Sequence, residues 1–157
     1  MDWGDCSRCS DSARFGYRPR DAMRALHVMA QVKIYGLREQ LEPIKRRLSD
    51  VIHACVVEAL QYPADKRAHR FFALERSDFY YPAGRSERYT IIEISMFEGR
   101  SVESKKRLMR LLFERVEKEC GIAPQDLEMT IFETPKHNWA FRGLPGDEHQ
   151  LNYKVEV

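Results

Sequence analysis

The spacing of hydrophobic residues in the first half of the chain predicts a strand, a helix and a second strand. Residues 30–36 alternate between apolar and polar side chains and stop at a glycine, as a half-buried strand does. Pro43 suits the first turn of a helix whose apolar positions are spaced by three and four: Ile44, Leu48, Val51, Ile52, Cys55, Val56 and Ala59. Residues 69–74 are the second strand candidate.

The second half of the chain repeats this order of elements. Residues 88–97 have the strongest strand pattern, because they are rich in β-branched side chains. Ser101 suits the N-cap of a second helix and Gly121 suits its end. The apolar positions of this helix are Val102, Leu108, Met109, Leu112, Val116 and Cys120. Residues 127–132 form the last predicted strand.

The two halves match in register, which predicts the fold class. Lys45 corresponds to Lys105 at an offset of 60 residues, and Pro63 corresponds to Pro124 at an offset of 61. A helical crossover makes the two strands of each half parallel. We therefore predict an α+β fold in which two fused β-α-β units form a four-stranded mixed sheet with both helices on one face.

A sheet covered on one face predicts self-association. Because the strands are rich in Ile, Phe, Val and Met, we expect the uncovered face to be apolar and to pack against other copies with closed symmetry. An excursion over residues 78–88 carries Phe79, Tyr80 and Tyr81, which we interpret as a further oligomer contact.

Composition narrows the class of protein. The 157 residues suit one domain, and 43% hydrophobic content is enough for a core. Because 26 Lys and Arg face 24 Asp and Glu, the net charge is only +2. This balance gives no reason to expect a nucleic acid or an anionic membrane as a partner. No apolar stretch approaches the length that spans a bilayer.

The segment over 1–28 differs from the rest of the chain. It holds five Arg and four Asp without a strand or helix period. We predict a disordered extension, or sequence upstream of a true start at Met29, followed by a single domain over 29–157. Cys6 and Cys9 form a CxxC without a second ligand pair, so we interpret them as incidental thiols. Without an apolar signal segment, a cytoplasmic location is expected.

Two motifs resemble those of a known family. The segments EGRSVESKK at 98–106 and PKHNWAFRG at 135–143, together with the two β-α-β units, resemble the tautomerase superfamily. Its best-known members are 4-oxalocrotonate tautomerase and macrophage migration inhibitory factor, and the likeness is greatest to its long, fused bacterial branch. The resemblance implies a homotrimer that needs no metal or organic cofactor. It also implies proton transfer by the amine of an N-terminal proline.

The resemblance also implies positions for the binding residues. Arg100 matches an arginine that opens the helix after a strand, Arg38 holds roughly the same place in the first half, and Arg70 matches a further substrate-binding arginine. Trp139 matches the aromatic residue that keeps the site dry. Phe97 stands where the dehalogenase branch has a second arginine, which argues against dehalogenation.

The catalytic proline of that superfamily is missing here. No proline follows Met1 or Met29, and a chain that started at Met29 and lost this residue would begin at Ala30. The primary amine of Ala30 has a reference pKa of about 8 and could act as a base. Glu133 and His137 are the conventional acid–base groups near the Trp139 loop.

Each candidate also has a purely structural interpretation. Arg100 could be an exposed residue of the first helical turn, Arg70 could pair with a helix carboxylate, and Trp139 could serve packing alone. The sequence therefore predicts a tautomerase-like or isomerase-like protein that binds a small 2-keto or enol carboxylate. The alternatives are a non-catalytic trimer that binds a small acid, and a ferredoxin-like regulatory module that pairs two chains.

Overall fold

A computed structural model describes residues 30–149; the predictions for residues 1–28, including Cys6 and Cys9, lie outside this range. The elements are β1 (Gln31–Leu37), α1 (Arg38–Leu41), α2 (Lys45–Leu60), β2 (His69–Leu74), β3 (Thr90–Phe97), α3 (Val102–Cys120), β4 (Leu127–Thr134), β5 (Ala140–Phe141) and β6 (Leu144–Pro145). No helix among these residues is long and apolar enough to cross a membrane.

The sheet confirms the predicted fold class. Its strand order is β2-β1-β3-β4, with β1 parallel to β2, β3 parallel to β4, and β1 antiparallel to β3. The two long helices pack against one another and against one face of this sheet. Because β1 and β3 run in opposite directions, Gln31 at the start of β1 pairs with Ser95 near the end of β3.

The ends of α3 confirm the predicted caps. The Ser101 side chain accepts a hydrogen bond from the backbone N–H of Ser104 at 3.1 Å. Gly121 ends the helix with φ of 69°, a left-handed conformation that glycine adopts without strain.

The predicted start of the first helix is slightly wrong. Proline has no N–H to donate to the preceding turn, so Pro43 separates the short α1 from α2, which begins at Lys45.

The uncovered face of the sheet is mixed rather than apolar, which corrects the prediction. The aliphatic side chains of β1 and β3 alternate toward the helices and are buried there: Val32, Ile34, Ile92, Ile94 and Met96. On the opposite face Tyr35 stacks on Phe72 with ring centroids 4.7 Å apart, and its hydroxyl donates to Glu93 at 3.0 Å. Lys33 lies 3.5 Å from the same carboxylate, and Phe132 is 47% exposed.

One smaller prediction is also corrected: Val102 is 64% exposed rather than part of the buried helix face. Within the chain, Phe79 and Tyr81 pack on Tyr89, with ring centroids 5.8 and 5.6 Å away. The oligomer contact expected of this cluster stays a prediction. Tyr80 alone of that cluster points outward.

Both helix cysteines are buried, as predicted. Cys55 and Cys120 are free thiols within the main core. Burial raises the pKa of each thiol to about 11, which keeps it protonated near neutral pH. They therefore act as small apolar side chains.

Acid is expected to destabilise the fold through His69. Burial, then the charges of Arg67 and His53, lower its pKa from 6.5 to about 4, against an opposing effect of Asp50. Ser49 Oγ lies 2.9 Å from its Nδ1. Because the unfolded chain takes up this proton first, the contribution is complete above pH 6.5 and is lost as the pH falls toward 4. Urea unfolding at about pH 5 should show a loss of about 2 kcal/mol relative to about pH 7.5. A His69→Asn variant should show a flatter pH dependence, and an unchanged slope would contradict this assignment.

Candidate functional site

The start of β1 and the end of β3 meet at one end of the sheet and form the candidate site. We call it the Ala30 corner and define it by Ala30, Tyr62, Phe97, Arg100 and Trp139. The antiparallel register brings the start of β1 beside the end of β3. Ala30, Tyr62 and Phe97 belong to the buried core, and Trp139 packs against it.

The nitrogen of Ala30 is buried against a hydroxyl group. Ala30 is 4% exposed, and its backbone N–H donates to Tyr62 Oη at 3.0 Å. Gln61, which ends α2, has φ of 49°, and this left-handed residue turns the chain just before Tyr62. Burial raises the pKa of Tyr62, while the Ala30 N–H and the Arg100 charge lower it and Asp65 raises it. The guanidinium is therefore within electrostatic reach of this hydroxyl.

Arg100 is buried with most of its donors unused. It is 5% exposed, and Nη1 donates to the backbone carbonyl of Phe97 at 2.8 Å. Nε and Nη2 are also buried, but no described residue accepts a hydrogen bond from them. An unsatisfied buried donor costs about 1–3 kcal/mol, and more when it is charged. Such a group is well suited to receive an anion, because a planar guanidinium binds a carboxylate with two donors.

Aromatic rings form one wall of the Ala30 corner. Trp139 packs edge-on against Phe97 with ring centroids 5.1 Å apart, and its Nε1 donates to Thr134 Oγ1 at 2.6 Å. Phe141 extends this wall, 6.5 Å from the Phe97 ring. Phe141 belongs to the small β5–β6 sheet that follows Trp139. The backbone at Gly146 packs closely against the Trp139 loop, because a Cβ at this position would lie only 2.5 Å from the Lys136 carbonyl oxygen.

Glu133 lies two residues before the proline that starts the Trp139 loop. It pairs in register with Met96, and its Oε2 accepts from Lys105 Nζ at 2.6 Å. Its Oε1 is buried and has no hydrogen-bond partner in the described part of the chain. His137, the other acid–base candidate, is exposed in the turn after β4.

Within one chain the three predicted arginines do not converge. Arg38 follows β1 at the end of the sheet opposite Ala30, and its Nε donates to Glu75 at 2.6 Å. That carboxylate raises the pKa of Arg38. Arg70 lies at the start of β2 on the uncovered face, where its Nη1 donates to Gln31 at 2.8 Å. Both side chains are exposed, unlike Arg100.

Two other features of the molecule do not form a comparable site. Among residues 30–149, no three His, Cys, Asp or Glu side chains are grouped as a metal site requires. An open groove of about 800 Å³ lies on the helices, away from the Ala30 corner. Its Arg115 is paired with Glu58 at 2.5 Å, and Arg47 donates to the Glu119 carbonyl at 3.2 Å. Neither of these arginines has a buried donor without a partner in the described chain, in contrast to Arg100.

The role of Tyr62 was not predicted from the sequence, where it was assigned only to a helix break. The repeat contains a signal that could have found it. Gln61 and Gly121 end the two long helices in the same left-handed conformation, so the residues that follow them, Tyr62 and Ile122, are equivalent, and Ile122 is 1% exposed in the core. Packing at this position is satisfied by an apolar side chain in the second half, so the hydroxyl in the first half is the unusual feature.

The family model and two relatives that match the sequence are all described as tautomerases. Residues 66–142 match the family model described as Tautomerase enzyme. A relative from Bacillus subtilis (strain 168), probable tautomerase YrdN, is 33% identical over 101 residues, which are 61% of this chain and 78% of the relative. A second protein of that strain, probable tautomerase YusQ, is 25% identical over 118 residues, or 72% and 93% of the two chains.

Solved structures share the fold. A malonate semialdehyde decarboxylase matches with a TM-score of 0.65 and 23% identity, over 71% of this chain and 89% of that chain. The FG41 malonate semialdehyde decarboxylase inhibited by 3-bromopropiolate matches with a TM-score of 0.64 and 28% identity, over 71% of this chain and 88% of that chain. A fused 4-OT described as an asymmetric trimer matches with a TM-score of 0.67 and 18% identity, over 74% of this chain and 96% of that chain.

Proposed function

Because the chain belongs to the tautomerase family, we propose that it binds a small 2-oxo or enol carboxylate at the Ala30 corner and interconverts its keto and enol forms. The observation that carries this proposal is the buried Arg100 guanidinium, whose Nε and Nη2 have no partner in the described chain. A carboxylate would satisfy both donors, and the positive charge would stabilise an enolate formed next to it.

The aromatic wall favours a ligand with an apolar part. The backbone carbonyl of Phe97 accepts from Arg100, and the buried Phe97 ring contacts Trp139 and Phe141, which are partly exposed. In this proposal a substituent of the acid packs on those two rings while its carboxylate meets the guanidinium. Because Phe97 supplies a ring where a second arginine would suit dehalogenation, we favour keto–enol chemistry over that reaction. No metal or organic cofactor enters this scheme.

The proposed role of Ala30 depends on its amine being free. In the 157-residue chain the Ala30 nitrogen is a peptide nitrogen without a basic lone pair. In a chain beginning at Ala30 it would be an amine beside Tyr62 and near Arg100, whose charge lowers the pKa of an amine. Such an amine could take a proton from the substrate and return it to another atom.

We propose that the protein acts as a homotrimer. Related fused 4-OT structures are described as trimers, and the uncovered sheet face offers Phe72 and Phe132 for contact. Arg38 and Arg70 are exposed, so in this scheme they would reach the ligand from a subunit boundary. A reducing cytoplasm would suit the free thiols of Cys55 and Cys120.

The second candidate function is carboxylate binding without catalysis. It is favoured by one observation: alanine rather than proline follows Met29 and lies next to Tyr62. In that case Arg100 would bind the acid, and no group would transfer its proton.

The start of the chain provides the test. The rate of enol-to-keto conversion of phenylpyruvate should be measured for protein that starts at residue 1, at Met29, and at Met29 with Ala30→Pro. We expect conversion above the buffer rate without the proline, and loss of this rate in Arg100→Met versions. Activity confined to the Ala30→Pro protein would contradict native catalysis and support the binding function. Equal rates in all three would contradict the amine mechanism and leave the enzyme proposal in place.

A further inference from the structure

Three buried side-chain atoms in the described chain lack any hydrogen-bond partner, and they belong to two residues of opposite charge. They are Nε and Nη2 of Arg100 and Oε1 of Glu133. Arg100 and Glu133 make no ion pair with each other. Buried polar atoms are almost always satisfied in native proteins. A single bound molecule that offers an anion to Arg100 and a proton to Glu133 would satisfy all three.

The two residues lie at the same end of the sheet. Glu133 is opposite Met96 in the β3–β4 register, and Arg100 follows shortly after the end of β3. Gln31 pairs with Ser95, so Ala30 lies just beyond this pair, on the other side of Met96. Neighbouring strands are about 5 Å apart, so Ala30 and Glu133 are separated by about 10 Å across the sheet.

Lys105 orients the Glu133 carboxylate. Its Nζ lies 2.6 Å from Oε2, and both side chains are 23% exposed. One oxygen is thus held by an ion pair, while the other is left without a partner in the described chain. The oxygen without a partner is the atom that can accept a proton from a bound molecule.

The internal repeat argues that the fold itself does not need this glutamate. In the alignment that pairs Lys45 with Lys105, the Met96–Glu133 pair corresponds to the Gly36–Ala73 pair of β1 and β2. The lysine is present in both halves. In the first half Lys45 donates to Glu42, which lies just before α2, at 2.8 Å. The second half alone combines the lysine with a carboxylate on the strand.

We propose that Glu133 is the general base of this site in the 157-residue chain, which has no free amine at Ala30; the inference rests on the proposed function. Glu133 Oε1 removes a proton from C3 of a 2-oxo acid whose carboxylate is bound by Arg100. The C3–H electron pair forms the C2=C3 bond, and the carbonyl electrons move to oxygen to give the enolate. The protonated Glu133 then gives its proton to that oxygen, which restores the carboxylate and completes the enol.

The test uses the full chain and exchange of C3 hydrogen for deuterium in phenylpyruvate, followed by NMR in D₂O, with the Kd for the same acid measured in parallel. Glu133→Gln keeps the size of the side chain and an oxygen for Lys105 but removes the base. Exchange should fall at least about 100-fold, the size of a general-base contribution, while Kd changes less than about threefold. Glu128→Gln is the matched control, because Glu128 is on the same strand but faces the other side and accepts from Tyr89 at 2.6 Å.

The outcomes separate the two proposals. Exchange in Glu133→Gln within about threefold of the wild-type rate would overturn the role of Glu133, and the proposed function would stand if Arg100→Met still lost binding and exchange. Equal losses of exchange and binding in Glu133→Gln would also overturn it, because that is a structural effect. If Glu133→Gln fails to fold, Glu133→Asp should bind normally and exchange slowly, and normal exchange would contradict the proposal. A wild-type protein that neither binds nor exchanges would overturn both proposals.

Discussion

Replacing Arg100 with methionine is expected to weaken carboxylate binding strongly and at the same time to make the fold more stable. Methionine fills the space of the aliphatic part of the arginine side chain and has no donor, so it removes a buried cation together with the two unsatisfied donors Nε and Nη2. The change also loses one hydrogen bond, from Nη1 to the Phe97 carbonyl. Two unsatisfied buried donors destabilise the fold by more than the single lost hydrogen bond stabilises it, so the free energy of unfolding should rise by about 1–2 kcal/mol.

The same substitution should weaken binding of phenylpyruvate about 100-fold, because two hydrogen bonds between a guanidinium and a carboxylate contribute about 3 kcal/mol together. Urea unfolding and calorimetric titration measure the two effects. Arg110→Met is the control, since Arg110 is 70% exposed and pairs with Glu103 at 3.0 Å on α3. It should change neither quantity appreciably. Opposite signs for stability and binding identify a functional residue; a destabilised variant that still binds the acid would show that Arg100 is structural.

Replacing Phe132 with aspartate is expected to convert a trimer into single chains. Phe132 lies on the uncovered face of β4 and is 47% exposed in one chain, although it is a large apolar side chain. In the proposed trimer this face is buried, so a carboxylate at this position would lose its hydration without gaining a partner. Within the isolated chain the carboxylate would stay in water, and the fold should therefore survive.

Sedimentation equilibrium measures this effect directly. We expect the mass of three chains for the wild type and of one chain for Phe132→Asp, with unchanged far-UV circular dichroism. Val102→Asp is the control, because Val102 is 64% exposed but lies at the start of α3, outside the sheet. A wild-type protein with the mass of one chain would contradict self-association. A trimeric Phe132→Asp protein would place the interface elsewhere.

The sequence was sufficient for the topology because repeated local signals agree with one another. The helical period of α3, its Ser101 cap and its Gly121 end specify the same element, and the matching half specifies the parallel pairing. The same signals did not show which side of the sheet each apolar residue faces. The count of aliphatic residues suggested an apolar outer face, whereas alternation directs most of them to the helices.

The site was predicted only in part, because it is built by tertiary contacts. Arg100 was selected through a motif, but nothing local shows that two of its donors are buried and unsatisfied. Within one chain Arg38 lies at the far end of the sheet and Arg70 on its other face, so the prediction that both bind the carboxylate depends on neighbouring subunits. Tyr62 reaches Ala30 from far along the sequence, a contact that requires the helix between them to fold back.

The most direct test is a crystal structure of the full chain with phenylpyruvate bound. We predict that the carboxylate oxygens lie about 3 Å from Nε and Nη2 of Arg100, with the phenyl ring against Trp139 and Phe141. A ligand bound away from Arg100, or a guanidinium that keeps both donors empty at saturation, would contradict the account.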